Sequence, residues 1–177
     1  HTFMTQDEYE PLTFTILPLR DFNAAEVNIP SLKDGHGNSI PASDIDLRYV
    51  QYKYGRPNYK AQGEYYRVPD VLRPFNGSKS LVANENLRLW ITLRTQKNTP
   101  PGIYAGAAQV VLDGILSTTV PIRVHVLPIR LIKDPSITYS TYYRHPSRYL
   151  KQAPDDFSRQ WWSAKIDNDM KSMAAHG

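Results

Sequence analysis

Leu87-Arg88-Leu89-Trp90-Ile91-Thr92-Leu93-Arg94 alternates without a break. Leu87, Leu89, Ile91 and Leu93 share one face. Arg88, Trp90, Thr92 and Arg94 share the other. A period of two is the mark of a strand with one buried side, because successive side chains leave a strand in opposite directions. Pro100-Pro101-Gly102 follows as a turn, and Ile103–Leu112 reads as the next strand. Asp113-Gly114 then separates two β-rich runs. That dipeptide favours a two-residue hairpin, whose central residues both need positive φ. The return strand is Ile115–Leu127, with Val120, Ile122, Val124 and Val126 on one face. Thr119, Pro121, Arg123 and His125 take the opposite face. Pro121 has no N–H to give, so an edge or a bulge is expected there.

Working outward, the N-terminal side carries more of the same. In Pro11–Leu19, Leu12, Phe14 and Ile16 alternate with Thr13 and Thr15. Ala24–Ile29 is a shorter candidate, and Asp34-Gly35-His36-Gly37-Asn38 is a turn by composition. Asp44–Tyr54 reads as a long strand. Glu64–Val68 reads as a short one stopped by Pro69. Beyond Pro128 the character changes. Ser136–Tyr143 is a Tyr-rich strand, and Pro154–His176 is a helix with Trp162, Ile166, Met170 and Met173 in one stripe. Pro154 suits the first helical position, Asp155 and Asp156 suit the positive N-terminal end, and Gly177 suits the cap. The expected fold is therefore mainly β: an antiparallel, Ig-like β-sandwich of about seven to nine strands over residues 1–128. Residues 129–177 would hold a linker and one β–α unit.

Composition narrows the class. Among 177 residues, 41% are hydrophobic and 21% charged, which excludes disorder and coiled coil and fits a globular chain with a real core. No stretch approaches the roughly 20 apolar residues that span a bilayer. His1–Glu10 lacks the apolar core of a signal peptide. The net charge of +4 is scattered, with no basic run, so nucleic acid is not the expected partner. The chain has no Cys, which removes disulfides, thiol nucleophiles and Cys-ligated zinc together. Pro at 14 and Tyr at 12 fit short strands broken by turns, with aromatic rings on half-buried faces.

The usual catalytic signatures are absent: no G-x-S-x-G, no H-E-x-x-H, no P-loop and no G-x-G-x-x-G. Gly35-His36-Gly37 is too short to cradle a phosphate. His125, on the polar face of a strand, reads as a solvent-facing side chain. Asp44 and Asp46 share a strand face, where like charges sit in water rather than forming a catalytic pair. Asp167 and Asp169 point apart on the helix. Asn76-Gly77-Ser78 matches a glycosylation sequon but is also an ordinary turn. Tyr49, Tyr52, Tyr54, Tyr59, Tyr65 and Tyr66 crowd one stretch. They can pack the faces and rims of a sandwich, or form a platform on which the C–H face of a pyranose stacks. Trp90 carries the same two readings, together with cover by another domain.

A resemblance then enters on particular motifs. Trp90-Ile91-Thr92 is followed by Pro101-Gly102-Ile103-Tyr104-Ala105-Gly106, a PG-x-Y-x-G turn-strand, and by Val120-Pro121-Ile122-Arg123-Val124-His125-Val126. Upstream stand Glu8-Tyr9-Glu10-Pro11 and Pro69-Asp70-Val71-Leu72-Arg73-Pro74. Downstream stands Asp169-Met170-Lys171-Ser172-Met173-Ala174-Ala175-His176-Gly177, a D-M-x-x-M-x-x-H-G helix end. In order and spacing these resemble the N-terminal β-sandwich of bacterial proteins similar to glycoside hydrolase family 123 and its DUF4091 relatives. The resemblance implies a sandwich followed by a (β/α)8 barrel that hydrolyses terminal N-acetylhexosaminides. This chain would end where that barrel begins, as the start of a truncated barrel. The family's catalytic Asp-Glu pair has no counterpart after Pro128, and Asp7-Glu8 lies in the wrong domain. No catalytic, cofactor-binding or metal-binding residue is therefore expected in this chain. The implied function is a non-catalytic accessory domain of a secreted or periplasmic N-acetylhexosaminidase-like hydrolase. It would support the barrel by intramolecular contact, meet glycan through the parent enzyme and help to shape its glycan site. Two alternatives remain: an autonomous carbohydrate-binding module using the Tyr-rich face, and an Ig-like spacer without a ligand. If Ser136–Tyr143 is the first barrel strand, its C-terminal end puts Tyr142, Tyr143 and Arg144 toward substrate, with His145 beginning the loop. Tyr supplies a stacking face and a hydroxyl, and Arg supplies a planar fork of donors.

Overall fold

The computed structural model describes residues 1–56, 63–132, 136 and 146–175. It divides into two compact units, His1–Leu131 and Ile132–Gly177. Among its described residues the first is all β apart from one short 3-10 turn at Ala42–Asp44. Its strands are β1 (Thr2–Gln6), β2 (Tyr9–Ile16), β3 (Phe22–Asn28), β4 (Leu32–Lys33), β5 (Ser39–Ile40), β6 (Ile45–Gly55), β7 (Tyr66–Pro74), β8 (Ser78–Leu81), β9 (Leu87–Arg94), β10 (Gly102–Leu112) and β11 (Ile115–Arg130). They form two sheets. The first runs β1-β11-β10-β3-β8, with β4 also paired to β10 and β5 to β4. The second runs β2-β9-β6-β7.

The alternation in β9 does what its period demands. Leu87, Leu89, Ile91 and Leu93 are all buried, while Arg88 and Arg94 are exposed. Ile91 and Leu93 share one core with Met4, Leu32, Tyr104, Val124 and Val126 of the other sheet. A second cluster at the other end of the sheets gathers Ala25, Leu81, Leu87 and Leu89, with Phe14, Tyr49 and Phe75 packed against it. The two sheets thus bury their inner faces against each other. Burial of this kind is worth about 1.5–3 kcal/mol for each large aliphatic side chain.

The hairpin between β10 and β11 closes at Asp113 (φ 49°) and Gly114 (φ 79°), both in the left-handed region. Asp113 has a second task. Its Oδ1 accepts the backbone N–H groups of Asn23 and Ala24 at 2.9 and 3.0 Å, tying the turn to the start of β3. The PG-x-Y-x-G stretch also has a structural explanation. Tyr104 is fully buried, and its hydroxyl donates to the Pro100 carbonyl at 2.8 Å. Burial pushes its phenol pKa up. Gly106 passes so close to Leu32 that a Cβ there would lie 2.6 Å from Leu32 Cδ2. The glycine lets β4 seat against β10.

Two expectations need correction. The sheets are not wholly antiparallel: β1, a strand that the pattern did not reveal, pairs with β11 in parallel, Phe3 opposite His125. The chain then crosses to the second sheet through Asp7 (φ 62°). Thr95 secures that crossing. Its hydroxyl donates to the Thr5 carbonyl at 2.7 Å, and the same oxygen accepts the Glu8 N–H at 3.1 Å. Secondly, Pro69 does not stop its strand. β7 runs on to Pro74, because it is an edge strand and Pro69 sits at a register shift opposite Tyr52, where no ladder N–H is required. Pro121 meets its expectation as an edge rather than as a bulge. It pairs with Ala107, and β1 joins β11 only from Val124 onward, so the proline lies on a locally open edge.

The second unit contains α1 (Ser147–Lys151) and α2 (Asp156–Ala175). Pro154 is not the first helical residue. Asp155 is the cap, its Oδ1 accepting the Ser158 N–H at 2.6 Å. Tyr149 of α1 stacks on Trp162 of α2 at 4.9 Å between ring centroids. No helix among the described residues is long and apolar enough to cross a membrane. The expected strand Ser136–Tyr143 lies, except for Ser136, outside the described residues.

Candidate functional site

The acidic and histidine candidates resolve first, because each is already engaged. Asp34 accepts the backbone N–H groups of His36 and Asn38 and the Asn38 side-chain amide, at 2.8, 3.0 and 2.7 Å. The Asn38 amide, followed by those N–H groups, holds the Asp34 carboxyl below the usual carboxylate range. The turn therefore spends the His36 and Asn38 N–H groups on Asp34 rather than on a phosphate. Asp44 accepts the Gln96 amide on both oxygens, each at 2.9 Å, whereas Asp46 pairs with Arg48 at 2.6 Å. They act separately. Asp7 pairs with Arg130, and Glu8 accepts the Thr5 N–H, so this adjacent Asp-Glu holds the crossing between β1 and β2. His125 is half-buried beside Phe3, with ring centroids 5.8 Å apart. Among the described residues no group of three or more His, Asp or Glu is arranged to hold a metal ion.

The tyrosine-rich stretch separates in space. Tyr54, Tyr65 and Tyr66 are exposed, and Tyr59 lies outside the described residues. Tyr49 and Tyr52, half-buried on β6, line a cleft of about 310 Å3 beside β8 and the β8–β9 turn. Lys79 of β8 stands 4.6 Å from the centre of the Tyr49 ring. Arg67 of β7 stands 5.4 Å from the centre of the Tyr52 ring, and its Nη2 lies 3.5 Å from Glu85. A cation over an aromatic face is attracted by the ring quadrupole, which orients the charge without neutralising it. Gln51 completes one wall, its Oε1 accepting Arg73 Nε at 2.7 Å. Sequence reasoning singled out the rings but missed Lys79 and Arg67. They lie in Ser-Lys-Ser and Tyr-Arg-Val, which have no pattern that marks a site.

Trp90 lies elsewhere, on the outer face of the second sheet, opposite Thr13 on one side and Arg48 on the other. With Val50, Leu72, Pro69 and Arg88 it lines a shallow depression of about 200 Å3. Val50 is only 9% exposed, although its side chain leaves β6 away from the core face used by Leu47 and Tyr49. The depression is more apolar than a solvated strand face would be. Tyr142, Tyr143, Arg144 and His145 lie outside the described residues.

No family model matches the sequence, and no curated protein matches it. The solved structures give a different result. One is described as a family 123 glycoside hydrolase from Clostridium perfringens, analysed for glycolipid glycan hydrolysis. It superposes with a TM-score of 0.78 at 19% identity, covering 98% of this chain and 31% of that one. The chain shares its fold with part of a family 123 glycoside hydrolase. It spans under a third of that protein's length. At this identity the likeness concerns the fold, and the family 123 structure is similar to this chain over nearly all its residues, including the sheets that form the cleft.

Proposed function

We propose that this chain is the non-catalytic N-terminal accessory domain of a bacterial, N-acetylhexosaminidase-like glycoside hydrolase, together with the first β–α unit of its barrel. One observation carries the reading: the fold match covers 98% of this chain but 31% of a family 123 glycoside hydrolase. On this reading residues 1–128 are an Ig-like sandwich and residues 129–177 are a linker and the opening of a (β/α)8 barrel. The sandwich supports the barrel and shapes its glycan site, and the protein works in the periplasm or outside the cell. Tyr142, Tyr143 and Arg144 then stand at the C-terminal end of the first barrel strand, the end where such barrels place their active sites. Function belongs to sites rather than folds, so the tests address activity directly.

The isolated chain, assayed on aryl N-acetyl-β-hexosaminides, should show no turnover, whereas the full-length enzyme should turn them over. Turnover by the isolated chain overturns the accessory role. A full-length enzyme inert on every hexosaminide overturns the substrate class. Arg144→Ala in the full-length enzyme should lower kcat/KM at least tenfold, about 1.4 kcal/mol of transition-state binding, with melting unchanged. Lost stability with normal kinetics would place Arg144 at a domain interface instead.

A further inference from the structure

We propose that the cleft between β6, β7 and β8 binds a pyranose bearing a single carboxylate, an acidic sugar unit of the uronic or sialic type. The inference goes beyond the accessory role and does not depend on it. It stands on the charges in the cleft. Arg67 is paired with Glu85 at 3.5 Å, but no carboxylate among the described residues lies within ion-pair distance of Lys79. The cleft therefore carries one uncompensated positive charge, which matches a monoanion. A dianionic phosphate would meet Glu85 and find only one unpaired cation.

The cation is also held ready. Lys79 rests on the Tyr49 ring and Arg67 on the Tyr52 ring. A flexible lysine loses rotamer freedom on binding an anion, and prior seating on a ring removes part of that cost. Tyr49 is fixed in turn by Phe75, whose ring meets it edge-on at 6.5 Å. The remaining polar lining suits hydroxyl groups. Ser80 and Asn86 are among the lining residues, and Gln51 has its amide NH2 left to donate, because its oxygen already accepts Arg73. A volume of about 310 Å3 lies at the small end of ligand pockets and admits a single ring rather than a long chain. A charge contact rimmed by hydroxyl partners is the recognition chemistry of an acidic monosaccharide.

The test uses the chain itself, with amide NMR shifts at Lys79, Glu85 and Asn86 as the readout. Methyl glucuronide and N-acetylneuraminic acid are titrated as two anionic probes, with methyl glucoside and inorganic phosphate as controls. At least one acidic sugar should give saturable shifts at these three amides that weaken with added salt. Methyl glucoside at the same concentration should give none. Lys79→Gln should weaken binding tenfold or more without changing the melting temperature, because Lys79 is exposed. Glu85→Gln should strengthen it, since Arg67 is released. Equal response to methyl glucoside, tighter binding of phosphate, an unaffected Lys79→Gln, or no shift with either acid at millimolar concentration would each overturn the assignment. Failure here leaves the hexosaminidase assays untouched, so the two readings fall separately.

Discussion

β9 and α2 both carry regularly spaced apolar residues, yet they are buried to different degrees. On β9 the whole apolar face is enclosed: Leu89 and Leu93 are 0% exposed, and β2 and β6 flank the strand along its length. On α2, Trp162, Ile166 and Met173 are half-buried, but Met170 of the same stripe is 41% exposed and Phe157 is 78% exposed. The difference is one of backbone needs. A strand cannot satisfy its N–H and C=O groups alone, so forming it requires neighbours, and the neighbours bring side chains that close over its face. A helix satisfies its backbone internally and can form with its stripe only partly covered.

The contrast can be broken most directly with a pair of truncations. Leu93→Ala should cost about 2–5 kcal/mol, since it deletes buried methyl groups from a core that cannot collapse fully. Met170→Ala should stay within about 0.5 kcal/mol, as surface substitutions do. Urea unfolding followed by tryptophan fluorescence would measure both. Equal losses would show that α2 is as well buried as β9.

A smaller effect sharpens the strand side. Tyr104→Phe removes a hydroxyl bonded to Pro100 and should cost about 0.5–1.5 kcal/mol. It should also change the alkaline limb. Burial raises the folded phenol pKa above the ordinary tyrosine value of about 10, so its contribution is complete below that value and lost as pH climbs through the folded one. Thermal melts across pH 9 to 12, about the range in which tyrosine titrates, should show a shallower decline for Tyr104→Phe than for the parent. An identical decline would remove Tyr104 from the account.

The smallest expected change is at the start of α2. The Ser158 N–H donated to its carboxylate holds the Asp155 pKa below the usual carboxylate range. A depressed carboxyl stabilises above its unfolded pKa, and that help is lost as pH falls through the folded value. Asp155→Ala should therefore speed amide exchange in the first turn of α2 at neutral pH while leaving β9 to β11 unchanged. At a pH below the folded value the variant and the parent should exchange alike. Faster exchange in β9 would mean that the cap matters well beyond its own helix.

Much of the β unit could be read from local pattern. β9, the β10–β11 hairpin and its Asp-Gly turn declare themselves through periods and positive-φ residues within a few positions. β1, β4, β5 and β8 do not. Each is two to five residues long, too short for a period to show, and each exists because a distant strand offers it a ladder. The same holds for Tyr104 and Gly106, whose motif is local but whose reasons are the Pro100 carbonyl and Leu32.

The sequence by itself determined the mainly β class, the places where the chain turns and the face that each long strand buries, because all three follow from side-chain direction and backbone dihedrals a few residues apart. Only the tertiary structure decided that β1 runs parallel to β11, that Pro69 lies within an edge strand, and that Lys79 and Arg67 come to rest over Tyr49 and Tyr52. Those outcomes depend on which strands become neighbours, and neighbour choice is settled by the closing of the shared core rather than by any stretch of chain within it.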